Sequence, residues 1–257
     1  MAPQTVFARH EIKYLVTRDE KSRIIAAMQG RMRPDEYGRS TICSVYYDTP
    51  TKMLIRRSIE SPIYKEKLRL RSYCTASDGD TVFVEIKKKF KSTVYKRRVG
   101  VELHSAEAWL SASLSPPRTG IRPDKSQIMN EIDFFLSRYD GLAPSIFISA
   151  EREAFYAVDD REFRITFDDN ILWRNTDLTL SAGIGGDTLL PDGMVLMELK
   201  AGGAFPLWIC HLLSDEGIYK TKFSKYGTAY KNLYAAEYLH LHNEGEHSHD
   251  INLQGAF

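Results

Sequence analysis

The sequence predicts an α+β fold: an antiparallel β-barrel whose charged faces line a tunnel and whose apolar faces are covered by flanking helices. Three observations lead there. Strand-like runs in which charged and apolar residues alternate recur along nearly the whole 257-residue chain. Helical periodicity is confined to a few short segments between or after those runs. The charged strand faces are crowded with Arg and Lys, where a merely wet sheet face would mix in Thr, Ser and Gln.

The elements follow in order. Residues 6–16 read as a strand. Thr17 and Glu20 form a capping box, and Ile24, Ile25 and Met28 make an apolar stripe, so a helix should run to about Met32. Arg33, Pro34 and Asp35 end it. Residues 42–47 are strand-like, Asp48, Thr49 and Pro50 break them, and residues 52–60 suit a short helix. Residues 64–73, 81–89 and 95–103 are three successive strands, the first two joined by a polar turn at 76–80. A short helix is expected over 105–113, a loop over 115–120, and a longer helix over 126–139, where Ile128, Met129, Ile132, Phe135 and Leu136 repeat at helical spacing. Strands return at 144–157, 162–168, 178–180 and 194–200, then helices at 207–213 and 226–239. One domain should end at residue 239. Residues 240–257 are polar and His-rich, with the composition of a disordered tail.

Hydrophobic residues make up 43% of the chain and charged residues 27%, enough to bury an ordinary globular core. The formal net charge of +1 gives no global signal for nucleic acid or membrane, so a basic site has to arise from local clustering. Cys43, Cys74 and Cys210 are odd in number and far apart, without a CxxC pair. That argues against a disulfide framework or a thiolate zinc site and suits a reducing compartment. No signal peptide is read at the start, and no apolar run nears the ~20 residues of a membrane span. A cytoplasmic protein is the expectation.

Side chains on a strand alternate between two faces. Lys67, Arg69, Arg71 and Tyr73 therefore share one face, and Leu68 and Leu70 the other. Glu85, Lys87 and Lys89 oppose Val82, Val84 and Ile86. Arg164, Thr166 and Asp168 oppose Phe163, Ile165 and Phe167. Glu198 and Lys200 oppose Val195, Met197 and Leu199. Arg9, Glu11 and Lys13 oppose His10, Ile12 and Tyr14. One account is a set of ordinary solvated faces. The other is a barrel that gathers them into a bore. Like charges in a low-dielectric bore repel strongly, so it would need an anion. A chain of phosphates fits, because it offers acceptor oxygens only, and Arg suits their multi-donor recognition. The interspersed Glu11, Glu85 and Glu198 would hold divalent cations, which prefer hard oxygen ligands.

The segments RHEIKY, SVYYDTP, KLRLRSY, FVEIKKK, YKRR, EREAF, RITFD, MELK and FSKY come in sequence from Arg9 to about Tyr238. Each is short, but together and in this order they resemble the triphosphate tunnel metalloenzymes. Within them the chain looks most like the polyphosphate polymerase domain of the vacuolar transporter chaperone complex, in its bacterial form. The resemblance implies a tunnel barrel and transfer of the γ-phosphoryl of ATP to a growing inorganic polyphosphate, with Mn2+ or Mg2+ as cofactor. It implies that Lys13, Arg69, Arg71, Lys87, Arg164 and Lys225 contact the reacting phosphates, joined by Lys96 and Ser224, and that Glu198 is a metal ligand. Glu11 or Glu85 would assist Glu198, and Lys89, Arg98 and Lys200 are expected as further phosphate contacts. Phosphoryl transfer asks mainly for positioning and charge neutralisation, and a deprotonated phosphate acceptor needs no general base.

The chain departs from the family in places. The wider superfamily opens with two glutamates and a lysine at alternating positions, whereas here Arg9 takes the first, as in the polymerase branch. The eukaryotic polymerase has a histidine where this chain has Lys89. Neither the inositol-phosphate-sensing domain nor the membrane segment of the eukaryotic complex is read in these residues, so the expectation is that export involves a separate membrane protein. Two rival readings stand beside the polymerase: a tripolyphosphate or nucleoside triphosphate hydrolase, and a non-catalytic polyphosphate-binding module.

Other signals are read as structural. His240, His242, His247 and His249 belong to a solvated tail. Gly183, Gly185 and Gly186 fit neither a P-loop nor a dinucleotide fingerprint. Lys87, Lys88 and Lys89 lack the aromatic platform of a nucleic-acid site, so no nucleic-acid partner is expected. Cys43 and Cys210 sit among apolar residues and are expected in the core, and Trp109, Trp173 and Trp208 in packing.

Overall fold

The computed structural model describes residues 10–60, 62–91, 93–111 and 123–234. β1 (His10–Thr17) runs into α1 (Arg18–Ala27), then β2 (Met32–Pro34) and β3 (Ser40–Asp48). α2 (Met53–Ile59) leads to β4 (Tyr64–Tyr73), β5 (Thr81–Phe90) and β6 (Thr93–Glu102), followed by α3 (Leu103–Leu110) and α4 (Pro123–Arg138). β7 (Ala143–Ala157), β8 (Arg164–Arg174), β9 (Asp187–Thr188) and β10 (Met194–Ala201) precede α5 (Leu207–Asp215) and β11 (Lys220–Thr221). A last helix, α6, occupies residues 225–234.

The strands form one antiparallel sheet in the order β11-β1-β10-β8-β7-β3-β4-β5-β6, with β2 added on β7 and β9 on β8. Among the described residues β11 and β6 are its edges, so the hydrogen-bonded ladder does not close into a barrel. The sheet nevertheless curls into a tunnel. Six strand steps lead from β1 through β10, β8, β7, β3 and β4 to β5. A flat sheet would hold those ends ~29 Å apart. Instead the Lys87 ammonium on β5 lies 3.6 Å from the Glu11 carboxylate on β1.

The alternation expected from the sequence dictates what covers each face. Leu68, Leu70, Val82, Val84, Ile86 and Val99 point outward and pack with Leu103, Trp109 and Leu110 of α3 and Met129, Ile132 and Phe135 of α4. Val16, Phe163, Ile165, Phe167, Met197 and Leu199 pack with Ile24 of α1 and Ile209 and Leu213 of α5. A third apolar cluster closes one end of the tunnel, where Tyr46, Ile146 and Leu196 meet Tyr226 and Ala229 of α6.

The capping box forms as expected: the Glu20 amide donates to the Thr17 hydroxyl, and Glu20 accepts from the Thr17 amide. Other expectations need correction. The first helix stops at Ala27 rather than near Met32; Gly30 turns left-handed (φ +73°), and Met32–Pro34 pairs with β7. Residues 178–180 are not a strand; their apolar spacing serves to bury Leu180 in the core. Cys210 is exposed rather than in the core, while Cys43 is buried. β2, β9 and β11 are too short to leave an alternating signature. The expected loop at 115–120, Arg9, residues 235–239 and the tail lie outside the described residues. Among the described residues, no helix is long and apolar enough to cross a membrane.

Candidate functional site

Register sets the tunnel wall. Across β4, β5 and β6, Lys67 faces Lys87 and Lys96, and Arg69 faces Glu85 and Arg98. Arg69 places two nitrogens on one oxygen of Glu85, at 2.6 and 2.7 Å, while Lys96 holds the other oxygen at 2.7 Å. Arg71 stands 3.8 Å away and donates to the Ser44 hydroxyl. Burial would raise the Glu85 carboxyl, but Arg69, Arg71 and Lys96 outweigh it and keep it well below the usual carboxylate range. Burial together with this crowd of like charge lowers Arg71 to about 10 and Lys96 to about 8, against the pull of Glu85.

The opposite wall is built by β1, β10 and β8. Lys13 faces Glu198 in register and approaches it to 3.2 Å, while Lys200 reaches it at 2.8 Å and Lys225 at 3.7 Å. Lys13 also lies 3.5 Å from Glu11. Burial would raise Glu11, but Lys87 leads the charges that bring it down to about 2. Asp168 on β8 is wholly buried, gripped by Arg152 of β7 at 2.5 and 2.7 Å and ion-paired with Lys225 at the start of α6.

Lys67 and Tyr46 lie where the wall meets the α6 plug. The Lys67 ammonium donates to the Ser224 hydroxyl at 3.4 Å and sits 5.7 Å from the Tyr226 ring centroid. Burial lowers it to about 8. The Tyr46 hydroxyl accepts from Arg69 at 3.3 Å, and its ring stacks on Tyr226 with centroids 4.5 Å apart. Burial would raise this phenol, yet Arg69, Lys67 and Arg71 bring it down to about 7.

Lys13, Arg69, Arg71, Lys87, Lys96, Lys200, Ser224, Lys225, Glu11, Glu85 and Glu198 are thus brought to one tunnel. Three expected phosphate contacts stand apart. Lys89 is one rung beyond Lys87, opposite Lys65. Arg98 is exposed, its guanidinium 4.7 Å from the Phe83 ring centroid. Arg164 is exposed at the first position of β8, opposite Lys200. Sequence reasoning overlooked Arg152 and Tyr46 and gave Lys67 and Asp168 no role. The available signal for Arg152 was its alternation with Ala150 and Ala154 against Glu151 and Glu153.

The three expected metal ligands do not form one cage. Glu11 and Glu198 share Lys13, while Glu85 is enclosed separately by its cations. Among the described residues, no group of three or more His, Cys, Asp or Glu could hold a metal ion. The Thr166 hydroxyl is buried with no hydrogen-bond partner and lies opposite Glu198 in register. Glu198, Glu11 and this hydroxyl are hard oxygen donors. They fit a Mg2+ or Mn2+ ion whose remaining ligands come from phosphate and water.

A family profile described as the VTC domain matches residues 8–234. Among solved structures, a candidate adenylate cyclase from Bacillus halodurans is 12% identical, with a TM-score of 0.51 over 86% of this chain and 96% of that chain. That likeness is one of fold. A candidate adenylate cyclase from Vibrio parahaemolyticus is 14% identical, with a TM-score of 0.49 over 88% of this chain and 98% of that chain. A search of curated proteins returned no match.

Proposed function

The chain belongs to the VTC domain family, and from that premise we propose that it is a polyphosphate polymerase acting on ATP. One observation carries the reading. The tunnel gathers nine cations (Lys13, Lys67, Arg69, Arg71, Lys87, Lys96, Arg152, Lys200 and Lys225) around four carboxylates (Glu11, Glu85, Asp168 and Glu198). The excess of five positive charges, enclosed by a curled sheet, suits a linear polyanion.

Arg69, fixed by Glu85, and Arg71 would grip phosphate oxygens on one wall, and Lys13, Lys200 and Lys225 on the other. In the transfer, a terminal phosphate oxygen of the acceptor bonds to the γ-phosphorus, the bond from that phosphorus to the β–γ bridging oxygen breaks, and ADP leaves. The attacking oxygen is already deprotonated, so positioning and neutralisation are the protein's tasks. Glu198 and Glu11 would hold the divalent ion, which when bound neutralises charge on the phosphate oxygens. Lys89 and Arg164, outside the central cluster, would meet the anions at its ends.

The test is incubation of the purified protein with ATP and Mn2+, with products resolved by gel and phosphorus NMR. ADP and long polymer are expected, and Lys225→Ala should abolish the polymer. Orthophosphate without polymer would replace this reading with a hydrolase. Tight polyphosphate binding without ATP consumption would replace it with a binding module.

A further inference from the structure

The tunnel wall is chemically graded along its length. On β4 and its neighbours, Lys65 faces Lys89, Lys67 faces Lys87 and Lys96, Arg69 faces Glu85 and Arg98, and Arg71 faces Phe83 and Gly100. Tyr73 is next on the same face of β4. The wall thus passes from lysines, through arginines, to aromatic rings. The α6 plug is not at the aromatic end, since Tyr226 lies against Tyr46 and Lys67.

The aromatic end is open and built for contact. Tyr73 and Phe83 meet edge to face, with centroids 6.0 Å apart and planes at 82°. The Arg98 guanidinium borders Phe83 at 4.7 Å. Gly100 lies opposite Phe83 in register and places no side chain beside the ring. Tyr73 remains 51% exposed although it follows two arginines on the charged face. A bare phosphate chain offers nothing for these rings to stack on. A nucleobase does, and a guanidinium beside the rings adds to such a contact.

We propose that Tyr73, Phe83 and Arg98 form a platform for the base of a nucleoside triphosphate, whose phosphates run inward to Arg71 and Arg69. The assignment rests on the reading of ATP as substrate and places the nucleotide at the mouth opposite the α6 plug. From Arg69 to Tyr73 the strand advances ~14 Å, enough for the phosphates and sugar of an extended nucleotide to lie between them. Stacking accepts every base, so the platform distinguishes a nucleotide from bare polyphosphate rather than one base from another.

Titration calorimetry on the full chain, with ATP and with tripolyphosphate in the same buffer, tests it. Tyr73→Ser should weaken ATP roughly tenfold relative to tripolyphosphate. Arg98→Gln should shift the ratio the same way by less. Tyr73 is half exposed, so its substitution spares the core. Equal losses for both ligands, or none for either, would overturn the platform. Equal affinity of the unaltered protein for both ligands would also overturn it while leaving the polymerase reading intact. Binding of neither ligand by the unaltered protein would bring down that reading and the platform with it.

Discussion

Glu85 shows how much a single side chain does for the wall. It is 1% exposed; one oxygen accepts from Arg69 and the other is ion-paired with Lys96. A carboxylate so held fixes a guanidinium in place. Glu85→Gln would leave Arg69, Arg71 and Lys96 without their shared counter-ion. The expected result is a loss of about 3 kcal/mol in urea unfolding of the ligand-free protein. Added tripolyphosphate should restore part of it, because it supplies the missing negative charge. An unchanged urea midpoint would contradict this role.

At the scale of elements, Asp48 ties α2 and α6 to the end of β3. Its carboxylate accepts from the amides of Thr49, Leu54 and Ile55 at 2.9, 2.9 and 3.0 Å, and from the Tyr226 hydroxyl at 2.7 Å. Lys52, at the start of α2, is left-handed (φ 56°) and its side chain makes no capping hydrogen bond. The Met53 amide donates to the Thr49 hydroxyl at 3.0 Å, and the next two amides of α2, Leu54 and Ile55, depend on Asp48. Asp48→Ala should lower stability by about 2–4 kcal/mol, read from thermal or chemical unfolding. Tyr226→Phe, which removes one hydrogen bond and keeps the stack on Tyr46, should cost only about 1 kcal/mol. Equal costs for the two would show that Asp48 serves α6 alone.

For the whole molecule, the crowding of cations predicts two pH trends of opposite sign. Lys67 and Lys96 are brought down to about 8 and Tyr46 to about 7, all below their ordinary values. Between pH 7 and 10 the native protein therefore binds fewer protons at these groups than the unfolded chain does. Their contribution to ligand-free stability rises with pH across that window. Lys96 contributes less than Lys67, because its side chain is 41% exposed and water screens it. Over the same window the tunnel loses positive charge and gains a phenolate, so its affinity for anions falls. Thermal unfolding from pH 7 to 9 should show a rising midpoint without ligand and a shrinking upward shift on adding tripolyphosphate. A shift that stays constant or grows would refute the link between wall charge and anion binding.

Alternation along a strand is a local property of the backbone, and it made one layer of the site legible from sequence. Lys67, Arg69 and Arg71 could be placed on one face, as could Glu198 with Lys200, and the outward apolar faces with their helices followed. Arg152 escaped because its neighbours Ala150 and Ala154 are apolar and the more conspicuous charges, Glu151 and Glu153, point away to pair with Arg39. Tyr46 was hidden in the apolar-looking run SVYYD. Which strands meet across the bore is decided by the curl of the sheet, and only the tertiary structure settles it. That curl brings Lys87 to Glu11, groups Glu11 with Glu198 around Lys13, and encloses Glu85 separately. It also leaves Arg98 beside a ring rather than in the central cluster. Charge pairing depends on distance through space, and no periodicity along one strand encodes the distance to another.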